Sequence, residues 1–144
     1  MANVKDVAQY ILERKGEMTT WKLQKLDYYC QAWTLVWDEE KLFSDRIEAW
    51  SNGPVIRNLY DVHSGMFQIS SIPGGDSSRL NTVQRETIDA VLLEYGALSS
   101  WQLRNLTHEE TPWKETRLVA GLDEGERGNV EIPTELMADY YGSL

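Results

Sequence analysis

The stretch KLQKLDYYCQAW, from Lys22 to Trp33, decides the fold of this chain. Apolar side chains recur at helical spacing through it and on to Trp37, and together they cover most of the helix circumference. The residues of this apolar surface are Leu23, Leu26, Tyr28, Tyr29, Cys30, Ala32, Trp33, Leu35, Val36 and Trp37. A helix with so much apolar surface is normally packed on several sides by its neighbours. The stretch therefore predicts a central buried helix over about residues 20–37.

One narrow polar stripe remains on this helix, formed by Gln24, Asp27, Gln31 and Thr34. Two interpretations of the stripe are open. A strip of solvated side chains along an incompletely covered helix is the commoner arrangement. Alternatively, the stripe is a binding face on which Gln24 and Gln31 contact a partner.

A second telling stretch is IEAWSNGPVIRNLY, from Ile47 to Tyr60. Pro54 is of the type favoured at a first helical position, so we expect a turn that leads directly into a helix, which Gly65 closes. Trp50, beside this constrained turn, offers a rigid aromatic anchor for a partner. Alternatively, Trp50 only covers the core and Gly53 supplies unusual torsion angles.

Capping signals predict further helices on both sides of these stretches. In chain order, the start signals are Asn3, Asn81 or Thr82, Ser99 with Gln102 in a capping box, Thr111-Pro112 and Pro133, and the stop signals are Gly16, Gly96 and Gly121. Residues 66–81 form a loop with room for a short hairpin strand, and residues 130–132 can pair with another strand. We therefore expect a mainly α fold, one compact multi-helix domain over residues 1–144, with one short β-hairpin or strand pair.

Composition and charge narrow the class of protein. The lone Cys30 cannot form an internal disulfide, and no leader or membrane-spanning pattern is visible, so we expect a cytoplasmic protein. The net charge is -9, and residues 106–144 hold nine acids against three bases. This charge repels a phosphate backbone, and the sequence shows no basic run to offset it. A basic protein is the better electrostatic match, although the acids alone can also serve solubility.

The sequence lacks the patterns of common catalytic and metal sites. His63 and His108 have no second metal ligand at a suitable spacing, and Cys30 lies on an apolar helix face, where its thiolate is disfavoured. No phosphate-binding glycine loop or serine elbow is present. We expect a protein that is not an enzyme and that needs no cofactor or metal. The alternative is an unrecognised catalytic pocket around the polar stripe.

Several phrases in order resemble one known family, the Panacea antitoxin domain, which includes SocA-like and GepA phage-associated proteins. The matching phrases are DVAQYIL from Asp6, KLQKLDYYCQAW from Lys22, IEAWSNGPVIRNLY from Ile47, LEYG from Leu93, LTHEETPW from Leu106 and the pair Tyr140-Tyr141. Asp27 and Cys30 depart from the family pattern, in which leucine and alanine are more usual.

The resemblance implies a mainly helical domain of bacteria and phages that binds and neutralises a toxin encoded beside it. It thus favours an antitoxin whose partner is a cognate toxin protein. In the SocA branch the domain acts instead as a proteolytic adaptor that delivers a bound toxin to the ClpXP protease, which is the alternative function here. Neither role involves direct contact with nucleic acid or a membrane.

The candidate partner-binding residues lie in the second stretch and in the LTHEETPW phrase. They are Trp50, Asn52, Gly53, Pro54 and Tyr60, then His108 and Trp113, with Gln24 and Gln31 added if the polar stripe is a binding face. Each either contacts the partner or forms the scaffold directly beneath the contact. Any aromatic surface left over allows a homodimer through a twofold axis.

Overall fold

The computed structural model describes residues 1–144 and contains seven α-helices and two antiparallel strand pairs. In chain order the elements are α1 (Val4–Lys15), β1 (Met18–Thr19), α2 (Thr20–Trp37), β2 (Ile47–Trp50), β3 (Gly53–Ile56), α3 (Arg57–His63), β4 (Gln68–Ile69), α4 (Thr82–Tyr95), α5 (Ser100–Glu109), α6 (Thr111–Val119) and α7 (Thr134–Gly142). The predicted mainly α fold is confirmed, with two strand pairs rather than one. None of the helices has the combination of length and apolarity needed to cross a bilayer.

Helix α2 is the central element. It begins where the Thr19 side chain accepts a hydrogen bond from the Lys22 amide at 3.2 Å. Helices α1, α4, α5 and α7 and strand β3 all pack against it. One core of 30 buried side chains joins these elements, and the α2 residues Leu23, Leu26 and Tyr29 are fully buried within it. The prediction of a central buried helix is confirmed.

The capping signals placed most helix ends correctly. Asn3 caps α1, and capping boxes start α4 at Asn81 and α5 at Ser99. Helix α6 differs, because the predicted cap Thr111 is already helical, and the apolar Leu118 and Val119 near its end are exposed. The opposite face of α6, which carries Pro112, Trp113, Thr116 and Arg117, is the buried one.

The turn at Gly53-Pro54 leads into a strand, so the prediction that Pro54 starts a helix is wrong. Strands β2 and β3 form a hairpin in which Trp50 pairs with Gly53 and Ala49 with Pro54, and α3 begins only at Arg57. β-branched side chains favour extended backbone at positions 55 and 56. The Gln24 side chain also holds Ile56 extended by hydrogen bonds to its amide and carbonyl.

The other strand pair joins distant segments. The short strand expected within residues 66–81 is β4, and it pairs with β1, Met18 opposite Ile69, rather than forming a local hairpin. The expected pairing near residue 131 is confirmed by an antiparallel bridge between Glu48 and Glu131. Strand β2 therefore has pairing partners on both of its edges.

The polar stripe of α2 is buried, so the interpretation as a solvated strip is wrong. Gln24, Asp27, Gln31 and Thr34 are each at most 2% exposed. Gln31 accepts hydrogen bonds from the amides of Leu42 at 2.8 Å and Phe43 at 3.3 Å, and donates to the Phe43 carbonyl at 2.8 Å. The extended segments before and within the hairpin cover the stripe, and their backbone groups bond the side-chain amides of Gln24 and Gln31.

Helix α7 docks on α2 through a buried hydroxyl and carboxylate network. Tyr29 and Tyr141 both donate to Glu110 Oε1, at 2.6 and 2.8 Å. Burial raises the pKa of Glu110 even though both hydroxyls favour its ionised form. This network supplies the docking contact that a terminal helix needs to stay ordered.

Candidate partner-binding site

The β2–β3 turn lies directly on α2 and α5. Gly53 has φ +126°, a conformation essentially restricted to glycine. A Cβ at this position would lie 3.3 Å from Lys25 Cε and 3.3 Å from Thr107 Oγ1. Glycine therefore satisfies both the torsion angle and the close approach of the turn to the two helices.

Replacing Gly53 with alanine is expected to lower the free energy of unfolding by about 2 kcal/mol, because a Cβ is strained at this φ and crowds Lys25. Urea unfolding followed by tryptophan fluorescence measures the change. The comparison is Gly74→Ala, where φ is +80° and a Cβ meets no atom within 4 Å, so that position has neither the crowding nor the more extreme torsion angle of Gly53. Equal losses at both positions would contradict the role given to the close approach.

Aromatic rings pack on one side of the turn. The Trp50 ring centroid is 4.8 Å from that of Tyr60 and 6.5 Å from that of Trp21. Trp50 Nε1 donates to Glu48 Oε1 at 2.8 Å, which fixes the orientation of the indole. All three rings are half-buried, so each has a packed side and a solvent-facing side. Rigid, partly exposed aromatics of this kind are the usual anchors of protein interfaces.

Helix α6 fastens the other side of the turn. Trp113 Nε1 donates to the Trp50 carbonyl at 2.8 Å, and the His108 ring stacks on Trp113 at 3.7 Å. The buried Arg117 guanidinium donates to the Ala49 carbonyl at 2.8 Å, and to the carbonyls of Asp123 at 3.0 Å and Glu126. The hairpin, α6 and the loop over residues 122–129 are thus held as one unit. We call the surface formed by Trp21, Trp50, Asn52, Tyr60 and His108, with the buried Trp113 directly beneath it, the hairpin face.

Cations are concentrated around this face. Burial, reinforced by nearby Arg104, lowers the pKa of His108 to about 4, so its imidazole is neutral at pH 7. Lys25 and Arg117 add smaller contributions in the same direction. Two open pockets border the turn and a third lies beside α6; their linings include six basic residues, Lys25, Arg57, Arg104, Lys114, Arg117 and Arg127, against one acid, Glu124. The fold therefore builds a local basic patch that the sequence, without any basic run, did not reveal.

The structure brings together most of the candidate residues. Trp50, Asn52, Tyr60 and His108 lie on the hairpin face, and Gly53, Pro54 and Trp113 are buried just beneath it. Gln24 and Gln31 are fully buried and bonded to backbone, so direct contact with a partner through them is excluded.

Sequence reasoning missed several residues that build the site. They are Trp21, Lys25, Arg104 and Arg117. Lys25 gave one usable signal, since it is a charged residue within the most apolar helix of the chain. Trp21, Arg104 and Arg117 are far apart in the sequence, so no local pattern indicated that they lie close together in the fold.

No three His, Cys, Asp or Glu side chains are grouped so that they could hold a metal ion. Burial raises the pKa of the Cys30 thiol well above its usual value, which disfavours the nucleophilic thiolate. What the surface does offer is fixed aromatic rings next to cations, of which Arg57 pairs with Glu48 and Asp61 while Lys25 and Arg104 make no ion pair. This combination is suited to binding another protein.

The fold defines a mainly helical domain with a small β-hairpin packed on its central helix. The family described as Antitoxin SocA-like, Panacea domain has a model that matches residues 23–114, well over half of the chain. The chain therefore belongs to the SocA-like Panacea antitoxin family, and the resemblance seen in its sequence is confirmed. No curated protein and no solved structure matches it.

Proposed function

We propose that this chain neutralises a cognate protein toxin by binding it directly through the hairpin face. Membership of an antitoxin family gives the general role. The observation that supports this surface is the set of half-buried rings of Trp21, Trp50 and Tyr60, which the hairpin and its hydrogen bonds hold in place. Stoichiometric occlusion of a toxin's active site needs rigid contact area and no catalytic group.

The setting of this interaction follows from charge and family. We propose a cytoplasmic complex with a toxin whose surface is mainly basic, because the chain carries -9 overall and its acids are concentrated after residue 105. The hairpin face would contact a different, less basic part of the toxin. A homodimer through the same aromatic surface would compete with the toxin for it.

Replacing Tyr60 with alanine tests the surface. The ring packs 4.8 Å from Trp50 and is half-exposed, so its loss is expected to weaken toxin binding about 30-fold or more, the effect of a hot-spot aromatic. The measurement is the Kd for an inactive form of the toxin encoded beside this gene, together with growth rescue on co-expression with the active toxin.

The matched control is Trp37→Ala. Its ring also stacks on a neighbour, Trp33, at 4.9 Å, and it is half-exposed. It lies 16 residues from Trp21 along α2, roughly 24 Å away. Its Kd should equal that of the wild type. Equal weakening by both variants, or no complex with the product of the neighbouring reading frame, would contradict the proposal.

The lifetime of the toxin in cells distinguishes the adaptor alternative from neutralisation by occlusion. Neutralisation by occlusion leaves the toxin level unchanged in cells with and without ClpXP. A toxin that disappears only when the protease is present would show that delivery to ClpXP is the mechanism. The same Tyr60 and Trp37 variants apply to both cases, because each mechanism needs the toxin to be bound first.

A further inference from the structure

Lys25 is a buried cation without a counter-charge. Its side chain is 2% exposed, and its Nζ donates only to the Trp21 carbonyl at 3.3 Å. No carboxylate lies within 4.0 Å of it. Moving an ammonium group out of water costs free energy that an opposite charge normally offsets. The fold supplies no such charge at this position.

Arg104 lies beside Lys25 and is also unpaired. Its guanidinium lies 4.9 Å from the Trp101 ring centroid and bonds only the adjacent Asn105 side chain, at 3.3 Å. Burial and then Arg104 lower the pKa of Lys25 to about 8, so the lysine is still mostly protonated at pH 7. These two unpaired cations form a locally positive site on a chain whose net charge is -9.

The two cations line one open pocket of about 360 Å³. Its walls include Trp21, Asn52, Phe67 and Trp101, so the pocket adjoins the hairpin face. Phe67 is 73% exposed and Trp101 is 65% exposed. Large exposed aromatics at the mouth of a pocket provide apolar contact area for a bound chain.

We propose that this pocket binds a carboxylate of the toxin, carried by an acidic side chain that adjoins an apolar residue. The inference rests on the function proposed above. The carboxylate accepts hydrogen bonds from Lys25 Nζ and the Arg104 guanidinium, and its apolar neighbour packs on Phe67 and Trp101. Binding thus supplies the counter-charge that the free chain lacks.

A protein carboxylate fits the pocket better than a nucleic acid does. The planar guanidinium of Arg104 matches the two oxygens of one carboxylate. A nucleic acid would bring successive phosphates across a surface that is negative overall, and would be repelled outside the pocket. One anion between aromatic walls is the ligand for which charge and shape agree.

The test uses the full chain and an inactive form of the toxin encoded beside it. Arg104→Glu and Lys25→Met are each expected to raise the Kd about 30-fold or more, the loss typical for removing one member of a desolvated charge pair. Arg85→Glu is the control, since this half-buried arginine of α4 also makes no ion pair and contributes nothing to the pocket. Its Kd should match the wild type.

Charge exchange identifies the toxin residue. Each acidic surface residue of the toxin is replaced by lysine in turn, and one of these changes should restore binding to Arg104→Glu. Circular dichroism checks the folding of every variant. Arg104 is half-exposed, so its variant carries the test even if Lys25→Met fails to fold.

A titration of Lys25 separates binding from a structural role. Its side-chain NMR signal should report a pKa above about 8 in the complex, because a neighbouring carboxylate favours the charged form. An unchanged or lower pKa overturns the proposal. So does displacement of the toxin by inorganic phosphate or a single-stranded oligonucleotide that shifts the same signal.

The outcomes distinguish the pocket from the function. If the wild-type chain binds the toxin and neither Arg104→Glu nor Lys25→Met weakens that binding, the proposed carboxylate pocket is wrong and the antitoxin function still stands. Failure of the wild-type chain to bind the toxin overturns the proposed function, and the pocket inference with it.

Discussion

Replacing Asp27 with leucine is expected to raise the free energy of unfolding by about 2–3 kcal/mol. Asp27 is completely buried in α2, and neither carboxylate oxygen has a hydrogen-bond partner. An unsatisfied buried polar group costs about 1–3 kcal/mol, and leucine has the same branching without that group. Urea unfolding at pH 7 measures the difference.

The same carboxyl makes stability depend on pH. Burial, and then the charge of Asp45, raises the pKa of Asp27 well above its usual value. Above about pH 4 the unfolded chain therefore loses this proton while the folded chain keeps it, so stability falls as the pH rises towards the folded pKa. Asp27→Asn cannot ionise and should lose this part of the slope. Comparison with the wild type at each pH cancels the other titrating groups. This account would be contradicted if the stability of the wild type relative to Asp27→Asn rose with pH, or if Asp27→Leu were less stable than the wild type.

The sequence predicted the helices well because their signals are local. Ser99 with Gln102 is a complete capping box within four residues and formed as expected, and Asn81, one of the two caps expected for α4, is the one the structure uses. The central helix was equally clear, since its apolar girth requires neighbours whatever their identity. These predictions needed no knowledge of which elements meet.

The predictions that failed depended on contacts between distant segments. Pro54 is compatible with both a helix start and an edge of a strand, and the choice is made by Gln24, 30 residues earlier, which holds Ile56 extended. The cations around the turn are likewise scattered from residue 25 to residue 127. Local patterns do not contain this information, so the hairpin and the basic patch emerge only in the folded chain.

Replacing Gln24 or Gln31 with leucine is expected to lower the free energy of unfolding by about 3 kcal/mol each. The two amides share the α2 stripe with Asp27 but differ from it in being hydrogen-bonded, Gln31 to backbone groups and Gln24 to backbone groups and to the His63 ring at 2.9 Å. Gln24→Leu leaves the Ile56 amide and carbonyl unpaired, and Gln31→Leu leaves the amides of Leu42 and Phe43 unpaired. Each buried group left without a partner costs about 1–3 kcal/mol.

Hydrogen exchange locates each loss. Gln24→Leu should remove protection at the Ile56 amide, and Gln31→Leu should remove it at the amides of Leu42 and Phe43. Each variant should leave the amides affected by the other one protected. Asp27→Leu is the control within the same stripe, because the same substitution there should stabilise. Gln24→Leu should also weaken toxin binding, since it loosens β3 beneath the hairpin face, whereas Gln31→Leu acts on residues 42 and 43, away from that face. A stabilising effect at either glutamine would mean that the stripe is held by packing alone and that its hydrogen bonds contribute nothing.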